Sequence, residues 1–181
     1  MRRFVPVMQR SFERFVRFPK PLIAAINGHA IAGGLIIALG CDQRLAARGP
    51  ARFGLTEILV GVVFPPWALE LARFTTPPEH FTTLICTGRT WKGEDALVRG
   101  LLDELVEPER LLDRACEVAQ ELAAIPADTF AATKLAVRRP LIDTAEQQAA
   151  LMNEKLVNYW SSSETLERVG AFAKRTIKRR E

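Results

Sequence analysis

Two features of the sequence could do chemistry. The first is the pair Gly33-Gly34, which stands directly ahead of the apolar run Leu35-Ile36-Ile37-Ala38-Leu39. If that run is a helix, its first amides have no acceptor of their own and lie at the positive end of the dipole, where a developing oxyanion could rest. The second is Glu57, set between Leu55 and the apolar run Ile58-Leu59-Val60. Burial penalises the charged form of such a carboxyl and raises its pKa, and a carboxyl titrating near neutral pH can both take and return a proton. Each feature also has a plainer meaning. A glycine pair makes an ordinary tight turn, and a glutamate after a strand commonly faces water. Other chemistries drop out: there is no G-x-S-x-G elbow, no Walker-type loop and no G-x-G-x-x-G. His29 and His80 lie in unrelated settings, and His29, beside a glycine turn, reads better as a hydrogen-bonded packing residue than as a base.

The elements that must position these residues follow from proline, glycine and apolar periodicity. Phe4, Met8, Phe12 and Phe15 recur at helical spacing, so the basic N-terminal stretch reads as an amphipathic helix packed on the body rather than as a transit peptide. Pro19 and Pro21 end it, and Leu22 to Ile26 reads as a buried strand closed by Asn27-Gly28. Periodicity alone cannot assign Leu35 to Leu39; the preceding double glycine favours a helix. Cys41 to Ala47 and Ala51 to Leu55 are expected to be strands joined by a turn at Arg48-Gly49-Pro50. Beyond Pro65-Pro66 the chain turns helical over Trp67 to Phe74, Glu79 to Cys86 and Glu94 to Arg99, with one more strand from Leu101 to Val106.

From Pro108 onward no strand signal remains and three or four helices are expected. In one of them Ile142, Ala145, Ala149, Met152, Leu156 and Tyr159 form an apolar stripe, with Asp143 and Glu146 as a capping pair. Ser161 to Glu164 repeats the capping pattern. The change of architecture near residue 107 divides the chain into an α/β part, 1–107, and a helical part, 108–181.

Composition narrows the function. The 181 residues are 48% hydrophobic and 25% charged, an ordinary balance for one packed core. No apolar run approaches the roughly 20 residues of a membrane span, so membrane insertion is not expected. The net charge of +4 gathers at the two ends, where Lys174, Arg175, Lys178, Arg179 and Arg180 could attract a phosphorylated ligand or simply be solvated. Nothing resembles a nucleic-acid motif. Cys41, Cys86 and Cys116 have no paired spacing and no histidine cluster, which argues against a zinc site or disulfides and fits reduced, buried thiols in a cytoplasmic protein.

The pieces also occur together in one recognisable order. Lys20-Pro21-Leu22-Ile23-Ala24-Ala25-Ile26-Asn27-Gly28 followed by Ala32-Gly33-Gly34, then Cys41-Asp42, then Phe53-Gly54-Leu55-Thr56-Glu57-Ile58-Leu59-Val60-Gly61, resembles the enoyl-CoA hydratase/isomerase (crotonase) superfamily. Thr87-Gly88-Arg89-Thr90-Trp91, Glu94-Asp95-Ala96, Gly100-Leu101-Leu102-Asp103 and Ala171-Phe172-Ala173-Lys174-Arg175 are similar to its later blocks. The resemblance implies a spiral of β-β-α turns, incomplete at the N-terminus, with a C-terminal helical region that drives assembly into trimers or dimers of trimers. It implies an acyl-CoA thioester as ligand, coenzyme A being part of the substrate, with no metal and no other cofactor. The Gly34 amide would be one of two oxyanion donors, the other lying upstream of Met1.

The resemblance is also informative about the reaction. Hydratases of the family use two glutamates. Here Glu57 matches the second, while the first falls at Ile37. A single carboxylate suffices for a 1,3-proton shift, and Gly54-Leu55-Thr56-Glu57 with Phe64-Pro65-Pro66-Trp67 resembles the enoyl-CoA delta isomerases of β-oxidation. Gly33, Ile37, Pro65 and Trp67 would then contact substrate, with Trp67 walling the acyl pocket or else filling the core. Two alternatives stay open: a non-catalytic acyl-CoA-binding or assembly paralogue, and a hydratase drawing its second acid from elsewhere, for example Glu70.

Overall fold

A computed structural model describes residues 2–177. Helix α1 (Phe4–Arg17) forms as the spacing predicts, but its buried residues are Val5, Gln9, Phe12 and Val16. The helix is thus turned by about one position from the expected face, which seats both valines against the body and leaves Phe4 outside, its ring 6.3 Å from that of Trp160.

Two similar passes of chain follow. The first is β1 (Ile23–Ile26), β2 (Ala30–Ile31) and α2 (Gly33–Leu39); the second is β3 (Gln43–Ala47), β4 (Phe53–Gly54), a 3-10 turn over Glu57–Val60, and α3 (Pro66–Thr75). Each pass returns the chain in the same direction, so like strands pair in parallel: Ile23 opposite Gln43 through Ile26 opposite Ala46, and Ala30 opposite Phe53. After α4 (Pro78–Thr87) and α5 (Gly93–Val98), β5 (Glu104–Val106) joins the free side of β3, giving the sheet order β1-β3-β5. This is the expected α/β spiral of β-β-α turns.

The strands are shorter than the sequence predicts because polar side chains occupy their ends. The Asp42 carboxylate takes the Leu22 N–H (2.8 Å), and the Asp103 carboxylate takes the Arg44 N–H (2.7 Å). Leu101 and Leu102 are core residues rather than strand. Leu35, Leu39, Phe53, Leu55, Leu71 and Ile142 centre the main core. Gly54 has no room for a side chain: a Cβ there would lie 2.3 Å from the Arg89 carbonyl oxygen.

The helical part is α6 (Leu111–Ala123), α7 (Ala127–Trp160) and α8 (Ser163–Ile177). Helix α7 runs through Pro140, and Asp143 pairs with Arg139 at 2.8 Å instead of capping a new helix. One proline removes a single N–H donor, and Lys134 and Arg138 before it and Leu141, Ile142 and Ala145 after it remain buried. The cap of α8 is Ser162, whose Oγ accepts the Thr165 N–H at 3.2 Å, one position later than expected. Ile142, Ala145, Ala149 and Leu156 of the predicted stripe are buried within this chain, where α7 packs on α1 and α3. Met152 and Tyr159 are half exposed.

A buried ionic clamp fastens α7 to the start of β3. Asp42 accepts from Lys134 Nζ (2.7 Å) and Arg138 Nη2 (2.8 Å). Arg138 also donates to Phe15 O and Val16 O in the last turn of α1. Of the three thiols only Cys41 is buried; Cys86 and Cys116 are exposed, against expectation, because they lie on the outer faces of α4 and α6. Among the described residues no helix is long and apolar enough to cross a membrane. Lys178, Arg179 and Arg180, and the side chain of Arg175, lie outside the described residues.

Candidate active site

The short ribbon β2–β4 aims the site. Ala30 N donates to Arg52 O (3.0 Å) and Ala32 N to Gly54 O (2.9 Å), so two parallel strands end side by side. His29 Nδ1 accepts the Arg52 N–H (3.0 Å) and aligns their entries, the hydrogen-bonding role its setting predicts. Both chains leave at the carboxyl ends, the edge where parallel sheets present ligand-binding groups. Gly34 follows Ala32 by two residues and Glu57 follows Gly54 by three, which delivers both to that edge.

Ala32 is the only non-glycine residue with positive φ among the described residues, at φ 55 and ψ −130. Such a conformation costs about 1–3 kcal/mol and persists where the surroundings enforce it. Its effect is to turn the chain so that Leu35 N and Ile36 N both donate to Ala32 O, at 2.9 and 3.1 Å. Among the described residues neither the Gly33 nor the Gly34 amide donates to a backbone carbonyl. Helix α2 has only seven residues, so individual N–H groups matter more than a summed dipole. A Cβ added at either glycine would meet nothing within 4 Å, and neither has positive φ. Folding therefore does not require glycine at these positions. What the glycines leave is open space in front of an exposed, unpaired amide at Gly34.

Glu57 opens the 3-10 turn, which Gly61 closes at φ 65 while Val62 N donates to Glu57 O (3.0 Å). The side chain is half-buried. Burial pushes its carboxyl up to about 7, against a smaller opposing pull from the Glu57 and Thr56 backbone amides. Oε2 is shielded from solvent and has no hydrogen-bond partner. Ile37, one helical turn beyond Gly34, is 44% exposed and brings no acid to this edge.

The other expected contacts divide. Pro65 is the buried N-cap of α3, and Pro66 lines a cavity of about 570 Å³ on the adjoining face of the Glu57–Phe64 segment. Neither Glu57 nor Gly34 lines that cavity; Ile58, Val62, Val63, Phe64 and Met152 give it an apolar wall and Glu70 a polar one. Trp67 does not line it. At 4% exposure it belongs to the core and lies beneath the Arg17 guanidinium, 5.7 Å from ring centroid to Cζ, because Pro65 and Pro66 fix the start of α3 so that Trp67 turns toward α1. Of the two meanings open for Trp67, the structure takes core filling. Val62 and Val63 have no sequence signal beyond the apolar run after Gly61, and Phe64 enters the sequence reading only as the first residue of Phe64-Pro65-Pro66-Trp67. Tyr159 Oη donates to Gly61 O (3.1 Å) and Trp160 Nε1 to Val63 O (2.9 Å), so the end of α7 clips this segment in place.

The fold is a parallel β-β-α spiral with an unpaired amide at the start of α2 and a half-buried carboxyl opening the turn that follows β4. A family model described as enoyl-CoA hydratase/isomerase matches residues 3–178, and the chain belongs to that family. It is 34% identical over 133 residues to a probable enoyl-CoA hydratase of Mycobacterium tuberculosis, a match covering 72% of this chain and 50% of that protein. The chain thus spans about half the length of that curated relative. Among solved structures it is similar to an enoyl-CoA hydratase/isomerase family protein of Pseudomonas syringae, with a TM-score of 0.78, 30% identity, and 82% of this chain and 65% of that one covered. An enoyl-CoA isomerase of Mycobacterium tuberculosis superposes with a TM-score of 0.74 at 30% identity, over 79% of this chain and 64% of that one.

Proposed function

We propose that the chain isomerises 3-enoyl-CoA to 2-enoyl-CoA thioesters in fatty-acid β-oxidation, with Glu57 as the sole proton shuttle. The observation that carries this reading is one half-buried carboxyl, titrating at about 7, delivered to the same strand edge as the free Gly34 amide while Ile37 stands where a second acid is wanted. As carboxylate, Glu57 removes a proton from C2. The electron pair left behind delocalises as a dienolate, with negative charge on the thioester oxygen facing the Gly34 N–H. Protonated Glu57 then returns the proton to C4, the C3–C4 double bond moves to C2–C3, and the carbonyl re-forms. A pKa near 7 suits both directions of transfer, since neither form of the group is scarce at neutral pH. One preorganised oxyanion donor is worth about 3–4 kcal/mol of barrier. Assembly into a homotrimer or dimer of trimers is part of the same reading and is read from the mass in solution.

One observation favours a hydratase instead: Glu70 is buried and faces the cavity beside the Glu57 segment, paired with Arg73 at 3.3 Å. The deciding experiment uses purified protein with a 3-enoyl-CoA, and separately a 2-enoyl-CoA in oxygen-labelled water. Isomerisation that disappears in Glu57→Gln, with no label incorporated, is the expected result. Hydration lost in Glu70→Gln establishes the hydratase reading. Acyl-CoA binding without turnover establishes a non-catalytic paralogue.

A further inference from the structure

A second site lies at the N-terminal end of β3, where the clamp around Asp42 borders a cavity of about 420 Å³. Its wall contains three buried basic residues, Arg44, Lys134 and Arg138. They face two carboxylates. Asp42 is shared by Lys134 and Arg138, and Asp103 holds Arg44 from behind at 2.8 Å. Three positive charges against two leave an excess of one, in surroundings where an unmatched buried charge is costly. Backbone carbonyls of Phe15, Val16 and Lys20 take part of that excess. Arg44 also donates to Cys41 O at 3.4 Å, while its Nε is shielded from solvent and has no partner. Holding α7 to the sheet explains the two pairs on Asp42 but gives no use to this extra cation or its unpaired N–H.

The neighbouring cavity explains what kind of anion would fit. A pocket of about 400 Å³ adjoins the first through the shared residues Leu122 and Phe130, and its wall is almost wholly apolar: Pro19, Pro21, Ile125, Ala127 and Ala131 complete it, with Lys20 and Asp128 at its rim. A cationic cavity next to an apolar one, with Leu122 and Phe130 lining both, matches an amphiphile with one negative head. Neither cavity shares a residue with Glu57, Gly34 or the cavity beside them.

The geometry points to a second binding site, for a medium-chain fatty carboxylate whose head meets Arg44, Lys134 and Arg138 while its alkyl chain lies in the Pro19–Ala131 pocket. This occupant is independent of the proposed isomerase activity, because it requires no contact with the thioester site.

The test is calorimetric titration of the whole chain with decanoate below its micelle concentration, with decanol and acetate as controls lacking head charge or tail. Two variants at accessible positions leave the clamp intact. Val137→Asp, 58% exposed at the mouth of the basic cavity, adds a repelling charge, and Ala131→Trp fills the apolar pocket. Saturable one-to-one binding of decanoate, at least tenfold tighter than of decanol or acetate and weakened at least tenfold by each variant, is expected. Met152→Trp, which obstructs the cavity beside Glu57, leaves it unchanged. The proposal is overturned if decanoate binds no better than decanol, if only Met152→Trp weakens it, or if the protein self-associates through this face and excludes decanoate. Unchanged melting temperatures of the variants confirm that each is folded.

Discussion

Replacing Glu57 by glutamine should make the protein more stable, and by an amount that depends on pH. The carboxyl rises from an ordinary 4.5 to about 7 on folding because burial disfavours its charge. At about 1.4 kcal/mol per pH unit, that difference corresponds to about 3 kcal/mol, and residual screening at a half-buried side chain trims it toward 2 kcal/mol. The sign follows from which state binds the proton. Below 4.5 the group is neutral in both folded and unfolded chains, so the native and glutamine proteins should differ little. Between 4.5 and about 7 the unfolded chain ionises first, and the native protein loses stability relative to the variant as pH rises. Above about 7 the whole penalty is present. Urea unfolding of both proteins at about pH 4, 6 and 8 reads the difference directly, with the other titrating groups common to both. Glu57→Gln should gain about 2–3 kcal/mol at pH 8 and close to nothing at pH 4. A difference that does not change with pH, or a variant less stable than the native protein at pH 8, refutes the placement of this carboxyl in a desolvated site.

Asp42→Ala leaves Lys134 and Arg138 buried without their anion and should cost about 3–5 kcal/mol in the same unfolding assay. Gly34→Ala meets open space and removes backbone freedom from the unfolded chain, so stability should hold or rise by up to about 1 kcal/mol. Its methyl group nevertheless stands before the amide, and isomerase turnover should fall about 100-fold or more, measured as kcat. Ile37→Glu alters an exposed side chain, should change stability by no more than about 0.5 kcal/mol, and should introduce measurable hydration of a 2-enoyl-CoA.

The spiral was legible because proline and glycine punctuate it. Pro19 and Pro21 mark the end of α1, Gly33-Gly34 the start of α2, and Pro65-Pro66 the start of α3, each for a backbone reason that acts locally. What escaped was set by tertiary contact. The strand β2 is two residues long, too short to carry a period of its own, and exists because β4 lies beside it. The helix α7 runs through Pro140 because packing on both sides outweighs one missing hydrogen bond. In the same way α1 chose Val5 and Val16 over Phe4 for its buried face, a rotation that no spacing rule distinguishes. At the proposed site, Gly34 and Glu57 stand out by residue type, whereas the pairing of β2 with β4, the strands that precede them, is set by tertiary contact. The strain at Ala32 has no sequence signal, since alanine is not a residue that marks positive φ. Trp67 shows the limit of motif reading: its position relative to the prolines is right for a wall, yet the first turn of α3 points it toward Arg17.

The central claim is that one carboxyl moves the proton both ways, and isotope transfer tests it most directly. A 3-enoyl-CoA carrying protium at C2, converted by the protein in deuterium oxide under single-turnover conditions, gives a 2-enoyl-CoA whose C4 can be examined for the origin of its new hydrogen. If Glu57 shuttles the proton, a share of product carries protium from C2 at C4, and Glu57→Gln forms no product. If the new C4 hydrogen comes wholly from solvent and the variant still turns over, the proton is handled by other groups and the single-carboxyl account is wrong.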